Sequence, residues 1–100
     1  MSDVIQSSLS DGVLHVVINR PEKKNALDPA AFRGLTQALG EASANDRVNV
    51  VLLSGAGGNF CSGMDLSATF DKGGVSYEDC ASAVIEFDKP MVCAVNGIAI

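Results

Sequence analysis

Two segments that contain glycine, residues 58–66 (GNFCSGMDL) and 89–97 (KPMVCAVNG), are the best candidates for a site that binds a carbonyl oxygen. If the chain turns sharply at Gly63 into a helix that begins near Asp65, the backbone N–H of Met64 points outward without a partner. Such a donor can hold a carbonyl oxygen. It contributes most, on the order of 3 kcal/mol, when that oxygen becomes an anion. The alternative is an ordinary glycine turn before a helix N-terminus.

The same glycines do not form a nucleotide cradle. A dinucleotide fingerprint needs glycines in the pattern G-x-G-x-x-G, and Phe60 occupies one of the required positions whether the pattern starts at Gly55 or at Gly58. No Gly-Lys-Ser/Thr triplet follows, as a P-loop would require. The sequence therefore argues against a Rossmann or P-loop nucleotide site.

Composition limits the remaining classes of function. The 100 residues are 47% hydrophobic and 19% charged, with a net charge of −5, which predicts one packed domain and argues against nucleic-acid binding. Arg20, Lys23 and Lys24 supply three of the seven positive charges, either as a solvated turn or as a local site for anions.

Cysteine usage and the N-terminal sequence bear on compartment and partners. Three cysteines without a C-x-x-C pair indicate reduced thiols rather than disulfides or a metal site, which favours a cytoplasmic protein. There is no export signal and no apolar window of membrane-spanning length, so no membrane partner is expected.

The first half of the chain should position the two segments. Residues 4–9 and 13–19 have the pattern of an antiparallel hairpin. Both faces of the second strand are largely apolar, so this strand is predicted to lie between two layers. His15, the only histidine, is expected on its less buried face in a structural role. A loop over 19–28 ends in Asp28-Pro29, an N-cap followed by proline at the first helical position. The predicted helix, 29–43, buries a stripe made of Phe32, Leu35, Leu39 and Ala42.

The second half predicts a parallel sheet. Residues 48–53, ending at Ser54-Gly55, have the continuous apolar pattern of a buried parallel strand, so the strand, helix and strand form a crossover unit of an α/β fold. A capping box at 76–79 predicts a helix to about Phe87, and residues 91–95 predict another buried strand. The buried stripe of this second helix is predicted to contain Ala81, Val84, Ile85 and Phe87.

Three segments in succession carry a resemblance: 18–27 (INRPEKKNAL), 58–66 and 89–97. Their order and separations resemble those of the enoyl-CoA hydratase/isomerase (crotonase) family, over about residues 4–100. The resemblance implies an α/β fold, a crotonase-like spiral of ββα units, of which residues 1–100 are the N-terminal part, incomplete at the C-terminus and truncated before the second oxyanion-hole glycine.

The family's site residues can be transferred to matching positions of this sequence. Lys24 and Ala26 match the loop that borders coenzyme A, with Arg20 and Lys23 near enough to help neutralise its phosphates. Met64 matches the first oxyanion-hole donor, acting through its backbone N–H. The segment along the adenine and pantetheine arm is matched by Ser62, Gly63, Asp65 and Leu66.

The implied function is action on acyl-CoA thioesters, with hydration of a 2-enoyl-CoA in fatty-acid metabolism as the default. Double-bond isomerisation, thioester hydrolysis and decarboxylation are other reactions of the family. Coenzyme A would be part of the substrate, and no separate cofactor or metal is implied. The family's second oxyanion donor and its two glutamates have no match in residues 1–100, so this chain alone is expected to be inactive. The alternatives are a non-catalytic acyl-CoA-binding chain and an inactive fragment. For a full-length family member, the resemblance implies a homotrimer or hexamer.

Overall fold

A computed structural model of the chain describes residues 4–63 and 77–99. These residues form four strands, two α-helices and a short 3-10 helix. In chain order the elements are β1 (Ile5–Ser10), β2 (Val13–Ile18), the 3-10 helix (Pro21–Lys23), α1 (Pro29–Ala44), β3 (Val50–Gly55), α2 (Tyr77–Glu86) and β4 (Met91–Ala94).

The strands form one mixed sheet in the order β1-β2-β3-β4. β1 and β2 pair antiparallel, and their turn places Asp11 and Gly12 at positive φ, a backbone conformation that glycine and aspartate tolerate. β3 pairs parallel with both β2 and β4. The predicted hairpin, the parallel crossover and the α/β class are therefore confirmed.

α1 begins and ends with defined caps. The Asp28 carboxylate accepts a hydrogen bond from the Ala31 N–H at 2.9 Å, and Pro29 occupies the first turn, as predicted. At the other end, the Lys89 ammonium donates to the carbonyl oxygens of Ala42 (2.7 Å) and Asn45 (2.8 Å). Such a cation suits the negative end of the helix dipole. The caps fix both ends of the element that connects β2 to β3.

The core lies between one face of the sheet and the two helices. Alternate strand residues point toward the helices, and the predicted stripe of α1 is buried there. The opposite face carries His15, whose Nε2 lies 2.7 Å from Ser54 Oγ, so the lone histidine is held within the sheet. Among the described elements the helices cover only one face of β2, whereas two covering layers were predicted. The main buried residues of this core are Val16, Phe32, Leu35, Leu39, Val48 and Val51.

The predicted buried stripe of α2 is wrong at Val84 and Ile85 and is confirmed at Phe87. Cys80 is buried, and Ala83 and Phe87 contact the core beside it, whereas Val84 and Ile85 are 47% and 82% exposed. Residues at positions i, i+3 and i+7 share a helix face, so the inward face of α2 is the one that carries the cysteine.

β4 also differs from its predicted burial. It is the last strand in the sheet order, and Val92 is 55% exposed. A strand with a neighbour on only one side loses burial along its outer edge. The strand was predicted in the right place, but its apolar composition did not predict the exposure that it has among the described residues.

Candidate functional site

The loop after β2 has a tightly wound backbone. Lys24 and Asn25 both adopt left-handed conformations, with φ of 51° and 60°, which non-glycine residues rarely do. Lys24 N–H donates to the Pro21 carbonyl at 3.1 Å, and Ala26 N–H donates to the Lys23 carbonyl at 3.0 Å. These bonds fix the backbone around Lys24 and Ala26, the two residues of this loop that were predicted to border coenzyme A.

Backbone hydrogen bonds join this loop to residues 62–63. Ser62 N–H donates to the Lys24 carbonyl at 3.1 Å, and Leu27 N–H donates to the Gly63 carbonyl at 2.7 Å. The Ser62 hydroxyl adds a bond to the Lys23 carbonyl at 3.2 Å. Four of the predicted substrate-binding residues are thus brought together along one pair of backbone segments: Lys24, Ala26, Ser62 and Gly63.

The third sequence segment is joined to the second. Phe60 N–H lies 2.9 Å from the Asn96 carbonyl and 3.0 Å from the Ile98 carbonyl, which also accepts from Cys61 N–H at 3.0 Å. Cys61 and Ala99 form an isolated parallel bridge. The three segments that carry the family resemblance therefore meet at one end of the sheet, beyond the carboxyl end of β3, where α/β proteins commonly bind ligands.

Glycine permits the close approach of these segments. Gly97 has φ +61°, and a Cβ there would overlap the Gly58 carbonyl oxygen and lie 2.6 Å from Asn59 Oδ1. A Cβ on Gly55 would likewise overlap the Asn59 carbonyl oxygen and lie 2.7 Å from Asn25 Nδ2. Any side chain at these two positions would push the segments apart.

The remaining predicted site residues, Met64, Asp65 and Leu66, lie outside the described residues. The oxyanion role of the Met64 N–H and the helix start near Asp65 therefore stay predictions. The described residue that precedes them, Gly63, has φ +101° and accepts the Leu27 hydrogen bond through its carbonyl. Its N–H lies 3.4 Å from Cys61 Sγ.

The three cations of the basic cluster are placed differently. Lys23 and Lys24 are exposed. Arg20 is turned into the loop, where Nη1 donates to the Ala26 carbonyl at 2.7 Å and Nε lies 3.7 Å from Asp28 Oδ2, with 11% of its side chain exposed. Arg20 thus supports the loop from inside, and its expected help in neutralising phosphates stays a prediction. The same part for Lys23, and the position of Lys24 beside coenzyme A, likewise stay predictions.

Two site residues were missed by sequence reasoning. Asn25 is fully buried, and its carboxamide contacts the Ala56 and Asn59 carbonyls. Asn59 in turn accepts a hydrogen bond from the Ile98 N–H. The available signal was the preference of asparagine for turns and left-handed backbone, here next to glycine-rich chain.

The cysteines and acidic residues within residues 4–63 and 77–99 do not form a metal centre. Cys61 and Cys80 are buried free thiols and Cys93 is an exposed one. No group of three or more histidine, cysteine, aspartate or glutamate residues in these ranges could hold a metal ion. None of the helices described there has both the length and the apolar character needed to cross a bilayer.

Known proteins resemble this chain in sequence. Residues 8–100 match the family model described as enoyl-CoA hydratase/isomerase. The chain is 31% identical to the 1,2-epoxyphenylacetyl-CoA isomerase of Escherichia coli K12, over 99% of this chain and 42% of that protein. It is 36% identical to the enoyl-CoA hydratase EchA19 of Mycobacterium tuberculosis, over 87% of this chain and 36% of that protein.

A solved structure extends the likeness to the fold. The enoyl-CoA hydratase/isomerase of Pseudoalteromonas atlantica T6c superposes with a TM-score of 0.88 at 36% identity, over 94% of this chain and 38% of that one. The fold is therefore the crotonase-like one expected from the sequence. The chain spans less than half the length of each of these three proteins. By sequence and by fold, it belongs to the enoyl-CoA hydratase/isomerase family.

Proposed function

We propose that this chain supplies the coenzyme A-binding loop and the first oxyanion donor of a protein that acts on acyl-CoA thioesters. The observation that carries the proposal is the pair of hydrogen bonds, Leu27 N–H to Gly63 O and Ser62 N–H to Lys24 O. They bring the two segments predicted to contact coenzyme A to within backbone hydrogen-bond distance of each other.

Charge on this loop suits the substrate. Coenzyme A carries phosphate groups, and the exposed ammonium groups of Lys23 and Lys24 lie on the loop proposed to border it. A lysine binds phosphate as a compact point charge, so its contribution falls as salt rises. Arg20 supports the same loop from inside through the Ala26 carbonyl.

The chemical step would depend on backbone donors. In the proposal, the Met64 N–H holds the thioester oxygen, and a donor of this kind contributes on the order of 3 kcal/mol when the oxygen gains negative charge. The methionine side chain would border the acyl group without taking part. Since the donor belongs to the backbone, Met64→Ala should preserve it and change only acyl selectivity.

The reaction proposed first is hydration of a 2-enoyl-CoA, with double-bond isomerisation next. The relatives of this chain include one named as an enoyl-CoA hydratase and one named as an enoyl-CoA delta isomerase. Coenzyme A enters as part of the substrate, and no separate cofactor is proposed. A cytoplasmic location, and assembly of complete family members into trimers or hexamers, stay predictions.

A non-catalytic acyl-CoA-binding chain is the second candidate. Hydration needs a positioned acid and base. The family's two glutamates have no counterpart in residues 1–100, and the two glutamates of α2, Glu78 and Glu86, are both exposed. We therefore expect the 100-residue chain to bind a thioester without turning it over.

Calorimetric titration with crotonyl-CoA, paired with an assay of crotonyl-CoA hydration, tests the proposal. We expect saturable binding without hydration, and weaker binding by Lys24→Gln. Arg47→Gln is the matched control, because it removes an exposed cation at the opposite end of the sheet. Absence of binding would refute the acyl-CoA role. Hydration that survives removal of host enzyme would refute the predicted inactivity.

A further inference from the structure

Asn25 is a fully buried polar residue at the centre of the site. Among residues 4–63 and 77–99 it is the only polar or charged residue that is buried. Its φ is +60°, a conformation that asparagine tolerates better than most residues with a side chain. Burying a carboxamide is costly unless its hydrogen bonds are made, so the number and direction of those bonds indicate what the residue does.

The Asn25 carboxamide binds three separate places in the chain. Its Nδ2 donates to the carbonyl oxygens of Ala56 (2.8 Å) and Asn59 (2.7 Å), which uses both of its donor hydrogens. Its Oδ1 accepts from the Arg20 N–H at 2.8 Å. One side chain thus ties the end of β2 to the turn that follows β3.

Asn59 continues the connection toward the third segment. Its Oδ1 accepts from the Ile98 N–H at 3.0 Å, while the Ile98 carbonyl accepts from Phe60 and Cys61. The path from the coenzyme A loop to residues 96–98 therefore runs through two asparagine side chains in series, Asn25 and then Asn59.

We propose that Asn25 is a positioning residue for the thioester site, and that with Asn59 it holds the coenzyme A loop, the segment leading to the oxyanion donor and the 96–98 turn as one unit. This proposal rests on the proposed function. Asn25 is too deeply buried to touch a substrate, so it acts through the segments that it connects. Holding such segments in place matters because a displacement of about 1 Å can cost on the order of a hundredfold in rate.

A purely local role makes a different prediction. If Asn25 only completed its own turn, its loss would loosen the residues that it touches, namely Arg20, Ala56 and Asn59. As a connector, it must also affect the Leu27 and Ser62 N–H groups, which bind the facing segment without contacting its carboxamide. Hydrogen exchange at those two amides therefore separates the two roles.

Two sets of variants test the connection. Asn25→Asp keeps the size of the side chain and removes both donor hydrogens. Asn49→Asp is its control, because it adds the same charge at an exposed position just before β3, at the other end of that strand. Asn59→Ala removes the acceptor for Ile98, and Asn59→Asp retains an acceptor oxygen at that position.

The measurements are amide hydrogen exchange and the dissociation constant for crotonyl-CoA. Loss of buried hydrogen bonds should speed exchange at Leu27 and Ser62 about tenfold or more in Asn25→Asp, with a similar loss of affinity. Asn49→Asp should match the parent chain. At Ile98, Asn59→Ala should exchange faster and Asn59→Asp should remain protected.

If the Leu27 and Ser62 amides of a folded Asn25→Asp chain exchange at the same rate as in the parent chain, the proposal is overturned. If that variant does not fold, equal exchange at Ile98 in the two Asn59 variants would overturn it instead. If the parent chain does not bind crotonyl-CoA, the proposed function fails, while exchange still decides whether the asparagines connect the segments.

Discussion

Leu27 donates its backbone N–H to the carbonyl oxygen of Gly63 at 2.7 Å, so the entry to α1 and the end of the glycine-rich segment are held together directly. The bond does not depend on either side chain. It does depend on backbone shape, because Gly63 has φ +101°. The conformation of this part of the site is therefore most sensitive to substitutions that alter permitted backbone angles.

Gly97→Ala should destabilise the chain, whereas Gly58→Ala should not. Alanine at 97 meets both an unfavourable φ and the Gly58 carbonyl oxygen, and strain of this kind costs about 1 to 3 kcal/mol. No atom outside the neighbouring residues lies within 4 Å of a Cβ at position 58, so that change should stay within about 0.5 kcal/mol. Urea denaturation measures both, and equal free energies of unfolding would contradict the close packing of residues 58 and 97.

Lys24→Gly should affect stability and binding in opposite directions. Relief of the left-handed lysine, φ 51°, should raise the free energy of unfolding by up to about 1 kcal/mol. Loss of the ammonium group should weaken crotonyl-CoA binding, most clearly at low salt. Lys23→Gly is the control, since it removes a neighbouring cation without a positive φ to relieve, and it should lower stability. A stability loss shared by both variants would argue against strain at Lys24.

Asp28→Ala should lower the free energy of unfolding by about 1 to 2 kcal/mol, because the Ala31 N–H loses its capping acceptor. Asp28→Asn retains an acceptor oxygen and loses only the charge that lies 3.7 Å from Arg20, so it should cost less. Chemical denaturation at neutral pH compares the two. If both variants lost the same stability, the charge rather than the cap would be the important feature.

The free energy of unfolding should fall in alkaline solution, partly because the Cys80 thiol loses its proton more readily in the unfolded chain. Burial raises the pKa of this thiol above its ordinary value of 9.0, although a hydrogen bond with Thr36 opposes the shift. Above pH 9 the unfolded chain loses the proton more readily than the folded chain, so the free energy of unfolding decreases as pH rises. Cys80→Ala should reduce that alkaline loss. Parallel curves for parent and variant from pH 8 to pH 10.5 would contradict it.

Sequence patterns predicted which helix face is buried where only one face was apolar. In α1, Phe32, Leu35 and Leu39 lie on one stripe flanked by polar residues, and the helix buries that stripe. In α2, apolar side chains surround most of the helix, so periodicity could not distinguish the Cys80 face from the Ile85 face. Contact with α1 decides which face is buried, and that contact is tertiary.

The segments that form the candidate site could be predicted from the sequence, but the hydrogen bonds that join them could not. The predicted residues Lys24 and Ser62 meet through main-chain groups that every sequence possesses, so only the fold shows the pairing. Asn25 follows two lysines in the sequence, a context that is typical of an exposed loop. Its burial follows from the absence of a side chain at Gly55, where a Cβ would lie 2.7 Å from Asn25 Nδ2.

The most direct test of the central claim is a crotonyl-CoA titration of the 15N-labelled 100-residue chain, followed through its amide resonances. The account predicts saturable shifts concentrated at Lys24, Ala26, Ser62 and Gly63, with little change at Asp11 and Asn49 at the opposite end of the sheet. Saturable shifts confined to that opposite end, or none at all at millimolar ligand, would contradict an acyl-CoA site on these segments.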